Sequence, residues 1–264
     1  MLKVKSLLVY PVKSFAGHTV GSMDVGQRGP KWDRQWMVVD KENKAVTQLE
    51  LPQMSQVGAQ VVDEARVELR APGMDFMDYG VDEGSEGESF KVKMADAVAE
   101  ATEVEAEVSE WVSEFLKKDL KLVRMKDDSA LEISEEYGGG LTTFTEGFPF
   151  MLLSTESMDL LNTKLGKALS VSRFRPNILV TGAEPHEEDS WNTIQIAGVQ
   201  FRGVKLCARD KVVTIQPLTG EFTDEPLKTL ADYRKTDKGV VFGKNFIHMG
   251  TGEIRTGMPV SVLD

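Results

Sequence analysis

One cysteine and three histidines stand among 264 residues. A single thiol forms no internal disulfide, which agrees with a reducing compartment, and it rules out zinc sites built from several thiolates. His18, His186 and His248 sit in no recognisable nucleophile motif, so serine or cysteine triad chemistry has no support. Long apolar runs are also missing: "LLVY", "FPFMLL" and "VVF" fall far short of the ~20 residues that span a bilayer, and no signal-peptide pattern precedes them. The expectation is a cytoplasmic chain with no membrane partner. Positive charge is in deficit, 31 Lys and Arg against 42 Asp and Glu for a net charge of −11, and simple repulsion disfavours a general nucleic-acid surface. The Gly-rich "YGGGLTTF" lacks the GxxxxGK[ST] spacing and does not sit between a strand and a helix, so neither a phosphate loop nor a dinucleotide fingerprint is present.

What is there reads as a globular protein of two packed subdomains, mainly β with some helices. In the first part, "KVKSLLVYPV", "RQWMVVD", "KAVTQLE", "ARVELRAPG" and "SFKVKM" alternate as strands separated by turns. Val108, Trp111, Val112, Phe115 and Leu116 then follow the spacing of a helix with one apolar face. The boundary falls near residues 119–128, giving units 1–122 and 123–264. In the second unit, "TESMDLLNTKLGK" predicts a helix behind Ser/Thr caps, and "EPLKTLADYRK" a helix with Pro226 in its first turn. Strands are expected in "RPNILVTG", in a hairpin "NTIQIAGVQFRGVKLC" turning at Ala197-Gly198, and in "KVVTIQPL", "GVVFGKNF" and "MPVSVLD".

Cys207 lies in "VKLCARDKVVTIQPLTGE". If alternation holds, it shares a strand face with Val199, Phe201, Gly203 and Lys205 and simply fills core. Its neighbourhood favours another role: Arg202, Lys205, Arg209 and Lys211 surround it in an otherwise acidic chain, and nearby cations stabilise thiolates and attract anions. Further cations stand in turn-like settings, Lys13 in "YPVKS", Arg34 in "KWDRQW", and Arg173 and Arg175 in "SRFRPN". There they could act as charge-assisted donors to phosphate or carboxylate, or serve as ordinary surface residues. The run "HEEDSW" lacks any metal-site spacing and reads as a charged loop.

"YPVKS", "DRQW", "FRPNILV", "EEDSW", "C-A-R", "EPLKTL..YR", "FGKNF" and "G.I..G..V" occur in the order found in the MOSC family (molybdenum cofactor sulfurase C-terminal domain). The chain resembles that family over nearly its whole length, in the two-part arrangement of the amidoxime-reducing components. The resemblance implies an N-terminal β-barrel-like subdomain packed on a C-terminal MOSC β-barrel. It also implies a molybdenum cofactor (Mo-molybdopterin), with Cys207 as catalytic residue and metal ligand, and Lys13, Ser14, Arg34, Ser154, Arg175, Asn177 and Arg209 around the cofactor. The implied activity is reduction of small N-hydroxylated compounds, amidoximes and N-hydroxylated bases, to the amine or amidine. Electrons would come from a separate donor protein of ferredoxin, flavoprotein or cytochrome type, since no cysteines remain for an iron–sulfur cluster. A cofactor carrier or sulfur-transfer module without its own redox turnover is the alternative. A complete sulfurase is not expected, because 264 residues leave no space for its pyridoxal-phosphate domain. One departure is visible: relatives often read C-x-R-C, and here Asp210 stands at the second cysteine.

Overall fold

Alternation of apolar and polar residues builds strands throughout, and the computed structural model, which describes residues 1–264, is mainly β with three α-helices. The largest sheet has nine strands. Its main path runs His18–Val20, Lys3–Val9, Ile178–Thr181, Phe150–Ser154, Gly239–His248, Val199–Ala208, Thr193–Ile196, Val260–Val262. Phe150–Ser154 and Ile178–Thr181 are parallel, which requires a crossover between them. The pattern around "TESMDLLNTKLGK" supplies it.

The path is open as a ladder, but its ends are drawn together. Val4 N–H donates to Met258 O at 2.9 Å, Gly257 N–H to Val4 O at 2.8 Å and Val260 N–H to Leu2 O at 3.1 Å. The sheet therefore curls around a core that includes Phe150, Leu152, Ile178, Ile194, Phe201 and Phe246.

The second body is a four-stranded antiparallel sheet, ordered Trp36–Val39, Lys121–Met125, Val98–Glu103, Ser89–Lys93, with a separate three-stranded meander over residues 58–80. Both faces of the four-stranded sheet are covered. Trp36, Val38 and Leu122 enter one apolar cluster, while Met37, Val39 and Val123 enter another. Helix α1, Ala106–Leu116, buries Val108, Trp111, Val112 and Leu116 against the first of these, as its spacing predicts.

The chain does not divide as a simple front and back. Lys3–Val9 belongs to the sheet made mostly by the second half, and Lys121–Met125, which straddles residue 122, lies between two strands of the first.

In the second half, α2 is Thr155–Leu165 and α3 is Leu227–Tyr233. Both pack on the outer face of the large sheet, against Met151, Leu153, Phe174, Leu179 and Phe242. The hairpin turns at Ala197 and Gly198, with φ of 49° and 86°, as a two-residue turn of twist-compatible type demands.

Two expected strands are absent. "KAVTQLE" forms only isolated bridges, Ala45 with Val39 and Lys44 with Lys93, before it turns. Lys211–Thr214 of "KVVTIQPL" is a 3₁₀ turn, because the Asp210 carboxylate accepts from Val212 N–H at 2.8 Å and the Thr214 hydroxyl donates to Lys211 O at 2.7 Å. Those local bonds satisfy the backbone that a ladder would otherwise hold.

Candidate functional site

The site grows from two turns knitted together by backbone. Arg34 N–H donates to Tyr10 O at 2.7 Å, Trp36 N–H to Pro11 O at 3.1 Å, and Lys13 N–H to Trp36 O at 2.8 Å. Asp33, wholly buried, braces the crossing: one carboxylate oxygen accepts from Tyr10 N–H at 2.9 Å and the other from the Arg34 guanidinium. Ser14, Trp32, Arg34 and Arg175 take φ values of 69°, 67°, 48° and 54°, a left-handed region that costs non-glycine residues energy. Four such residues meet in one place.

Arg34 and Arg175 lie over the same tyrosine ring. Their guanidinium carbons stand 4.5 and 4.3 Å from the Tyr10 centroid, so two like charges share one quadrupole. Arg34 also donates to Asn177 Oδ1 at 3.3 Å, and Arg175 donates to Phe15 O at 2.7 Å. Asn177 links three strands, accepting from Met151 N–H and donating to Leu8 O, each at 3.3 Å. It orients Arg34 from behind.

The electrostatics follow from burial. Desolvation, then the Arg34 charge, draws the Arg175 pKa down to about 10, although part of the residue still reaches the surface. Burial pushes the Tyr10 hydroxyl up to about 12, and that hydroxyl donates to Pro176 O at 3.2 Å. Lys13 is 7% exposed and donates to Phe144 O and to Glu146 Oε1, both at 3.1 Å. Burial lowers its pKa against the opposing pull of Glu146. No carboxylate is bonded to Arg175, although Asp33 and Glu146 lie near enough to oppose the fall in its pKa.

Cys207 sits on Val199–Ala208, half-buried, at the margin of the cluster formed by Phe174, Val213 and Phe242. The expected unbroken alternation does not hold. Pairing with Gly239–His248 shifts register between Gly203 and Lys205 and again between Leu206 and Ala208, so Cys207 is not on a face continuous with Val199 and Phe201. Bulges of this kind re-aim side chains and gather at sheet margins and functional sites. Two residues on, Arg209 donates through Nε and Nη2 to Phe242 O and through Nη1 to Phe174 O, at 2.9, 2.7 and 3.0 Å. Phe174 immediately precedes Arg175, so one guanidinium ties the thiol-bearing strand to the cation group. A cleft lined by Tyr10, Arg173, Arg175, Val212 and Ile215 runs between that group and the turn after Cys207.

The structure thus brings Lys13, Ser14, Arg34, Arg175, Asn177 and Arg209 into one neighbourhood. Ser154 is committed elsewhere. Its hydroxyl caps α2 by accepting from Ser157 N–H at 3.1 Å and donates to Glu188 Oε2 at 2.9 Å. No group of three His, Cys, Asp or Glu side chains could cage a metal ion. A metal held at Cys207 would need its remaining ligands from a cofactor.

A model of the MOSC N-terminal beta barrel domain matches residues 1–119, and one of the MOSC domain matches residues 140–261. The protein of Bos taurus named mitochondrial amidoxime reducing component 2 is 30% identical over 276 residues, covering 97% of this chain and 82% of that one. The chain belongs to the MOSC family. The component 2 protein of Rattus norvegicus is 31% identical over 278 residues, again covering 97% and 82%. The molybdenum cofactor sulfurase of Solanum lycopersicum is 28% identical over 90% of this chain but only 32% of its own length.

Several residues of this MOSC chain escaped the reading of its sequence. Tyr10 and Asp33 were visible only as members of "YPVKS" and "KWDRQW", with nothing to mark a ring between two guanidiniums or a carboxylate beneath them. Glu188 of "EEDSW" is wholly buried and accepts from Ser154 and Ser157 hydroxyls, and burial raises its pKa. Lys244 of "FGKNF" donates to Asp189 O and Trp191 O at 3.0 and 2.7 Å, pinning the same loop. Asp210 caps the 3₁₀ turn that follows it.

Proposed function

We propose that this MOSC protein is a molybdenum-cofactor oxidoreductase that reduces N-hydroxylated compounds, taking electrons from a separate donor protein. The observation that carries the reading is the surplus of positive charge around Tyr10: Arg175 is drawn out of water without a carboxylate, beside Arg34 and Lys13. Such a group fits the phosphate of a pterin cofactor, because charge-assisted donors suit phosphate oxygens and a desolvated cation is costly without an anion. The lone thiol fits the metal end, since soft thiolates are ligands for such metals. The relatives named amidoxime reducing components support the substrate class.

When bound, the cofactor supplies two-electron chemistry at a substrate oxygen. The balance is R–NHOH with two electrons and two protons giving R–NH₂ and water. Cys207 would hold the metal as thiolate, so its own proton leaves on binding. Lys13, Arg34 and Arg175 would hold the phosphate end. Asn177 and Asp33 fix Arg34, and Arg209 fixes the spacing between thiol strand and cation group.

Elemental analysis of protein produced with cofactor supply should find about one molybdenum per chain, falling to near zero in Cys207→Ser. Loaded protein should reduce benzamidoxime with a chemical electron donor. Undiminished metal in Cys207→Ser removes the ligand assignment. Metal without turnover, together with ready transfer of cofactor to an apo-enzyme, would favour the carrier reading to which the sulfurase likeness points.

A further inference from the structure

Two acids face the cations around Tyr10, and they are held in opposite ways. Asp33 is wholly buried with both oxygens engaged, by Tyr10 N–H and by Arg34. Glu146 comes from the bend Phe144–Gly147 and reaches Lys13 Nζ at 3.1 Å, yet its side chain is 81% exposed while that of Lys13 is 8% exposed. The cation is fixed and its counter-ion is not. Releasing Glu146 returns an already exposed acid to water and leaves Lys13 bonded to Phe144 O, a desolvated cation short of an anion. Glu146 removes one formal positive charge from the cation group when it pairs with Lys13 and restores that charge when it leaves. The restored charge favours a phosphate monoester dianion over the single charge of Glu146.

We propose that Glu146 is an exchangeable counter-ion that sets the anion affinity of this site by competing with a phosphate monoester for Lys13. The inference rests on reading the cation group as a phosphate site and extends it to a residue outside that group. Glu146 is therefore a specificity-determining residue: the chain keeps Lys13 neutralised until a dianion takes over its donor. An anion of one charge recovers less, because it can be bound with Glu146 still paired.

The test is calorimetric titration of the full chain, produced without cofactor supply, with inorganic phosphate. Glu146→Gln should bind phosphate about threefold more tightly than the unaltered chain, the scale of one exposed ion pair. Glu136→Gln, which removes an exposed acid from the same connecting segment without touching Lys13, should change affinity by less than half that. In a Lys13→Gln background the Glu146→Gln change should gain nothing, which a double-mutant cycle reads as coupling. Glu146→Ala should reproduce the gain if the glutamine variant folds poorly.

Equal or weaker binding by Glu146→Gln, or an equal gain from Glu136→Gln, overturns the proposal, as does an unaltered chain that binds no phosphate. Molybdenum content separates this from the functional reading. A chain that loads the metal yet shows no Glu146 effect loses only the counter-ion, whereas a Glu146 effect in a chain that never holds molybdenum keeps the counter-ion and loses the cofactor.

Discussion

Arg124, in the four-stranded sheet, is 2% exposed and donates to Val81 O at 3.0 Å, to Met125 O at 3.2 Å and to the Asp127 carboxylate at 2.9 Å. Arg175, where the two bodies meet, donates to Phe15 O at 2.7 Å and meets a second guanidinium across Tyr10 in place of an acid. The first charge is neutralised within the protein, and the second is left for something else to neutralise. A buried guanidinium is thus informative through its partners rather than its burial. His186 handles the same problem in a third way: burial, then the Arg234 charge, holds its pKa at about 4, so the ring stays neutral.

Arg124→Met should produce the largest effect on the fold, about 2 kcal/mol of stability by denaturant unfolding, because it strands the Val81 carbonyl, whereas Met125 O keeps its bond from Gln35. Phosphate affinity should not change; a fall there would break the contrast between the two arginines. Arg175→Met should do the reverse, weakening phosphate binding about tenfold or more while stability stays within about 1 kcal/mol, since the cost of stranding the Phe15 carbonyl is offset by removal of a desolvated charge with no bonded acid. Unfolding of the Arg175 variant would place both arginines in one structural class.

His186 supplies the smallest effect. Its folded pKa of about 4 lies below the ordinary 6.5, so between these values the unfolded chain binds the extra proton. The stability it contributes is full above pH 6.5 and is lost as pH falls toward 4. A plot of melting temperature against pH should be shallower across that window in His186→Gln.

Most strands, the face of α1 and the turn at Ala197-Gly198 were legible because each obeys a local period or a two-residue turn rule, whereas "KAVTQLE" was misread as a strand. Lys211–Thr214 was misread as a strand because its β-branched residues carry strand propensity while one carboxylate, Asp210, overrides them. The broken alternation before Cys207 was missed for another reason: register is settled by the neighbouring strand, and Gly203, the residue in "RGVKLC" that favours a bulge, was read as one more position on a regular face. The cations of the site could be picked out by type and by family resemblance. Their shared ring, their missing acid and the role of Glu146 are relations among segments far apart in the chain, which no spacing records.

The curl of the large sheet has a consequence for the order in which this protein is made. Lys3–Val9 leaves the ribosome before every other described strand but pairs with Ile178–Thr181, and its start is bonded to Gly257–Val260. The four-stranded sheet can form while that first strand still lacks its main partners, since all four of its strands are complete once Met125 has emerged. Tyr10 lies directly after the waiting strand, whereas Arg175 is translated just before the strand's partner. The corner of cations around Tyr10 is therefore assembled only when the first strand meets its partner, well after the four-stranded sheet can be complete.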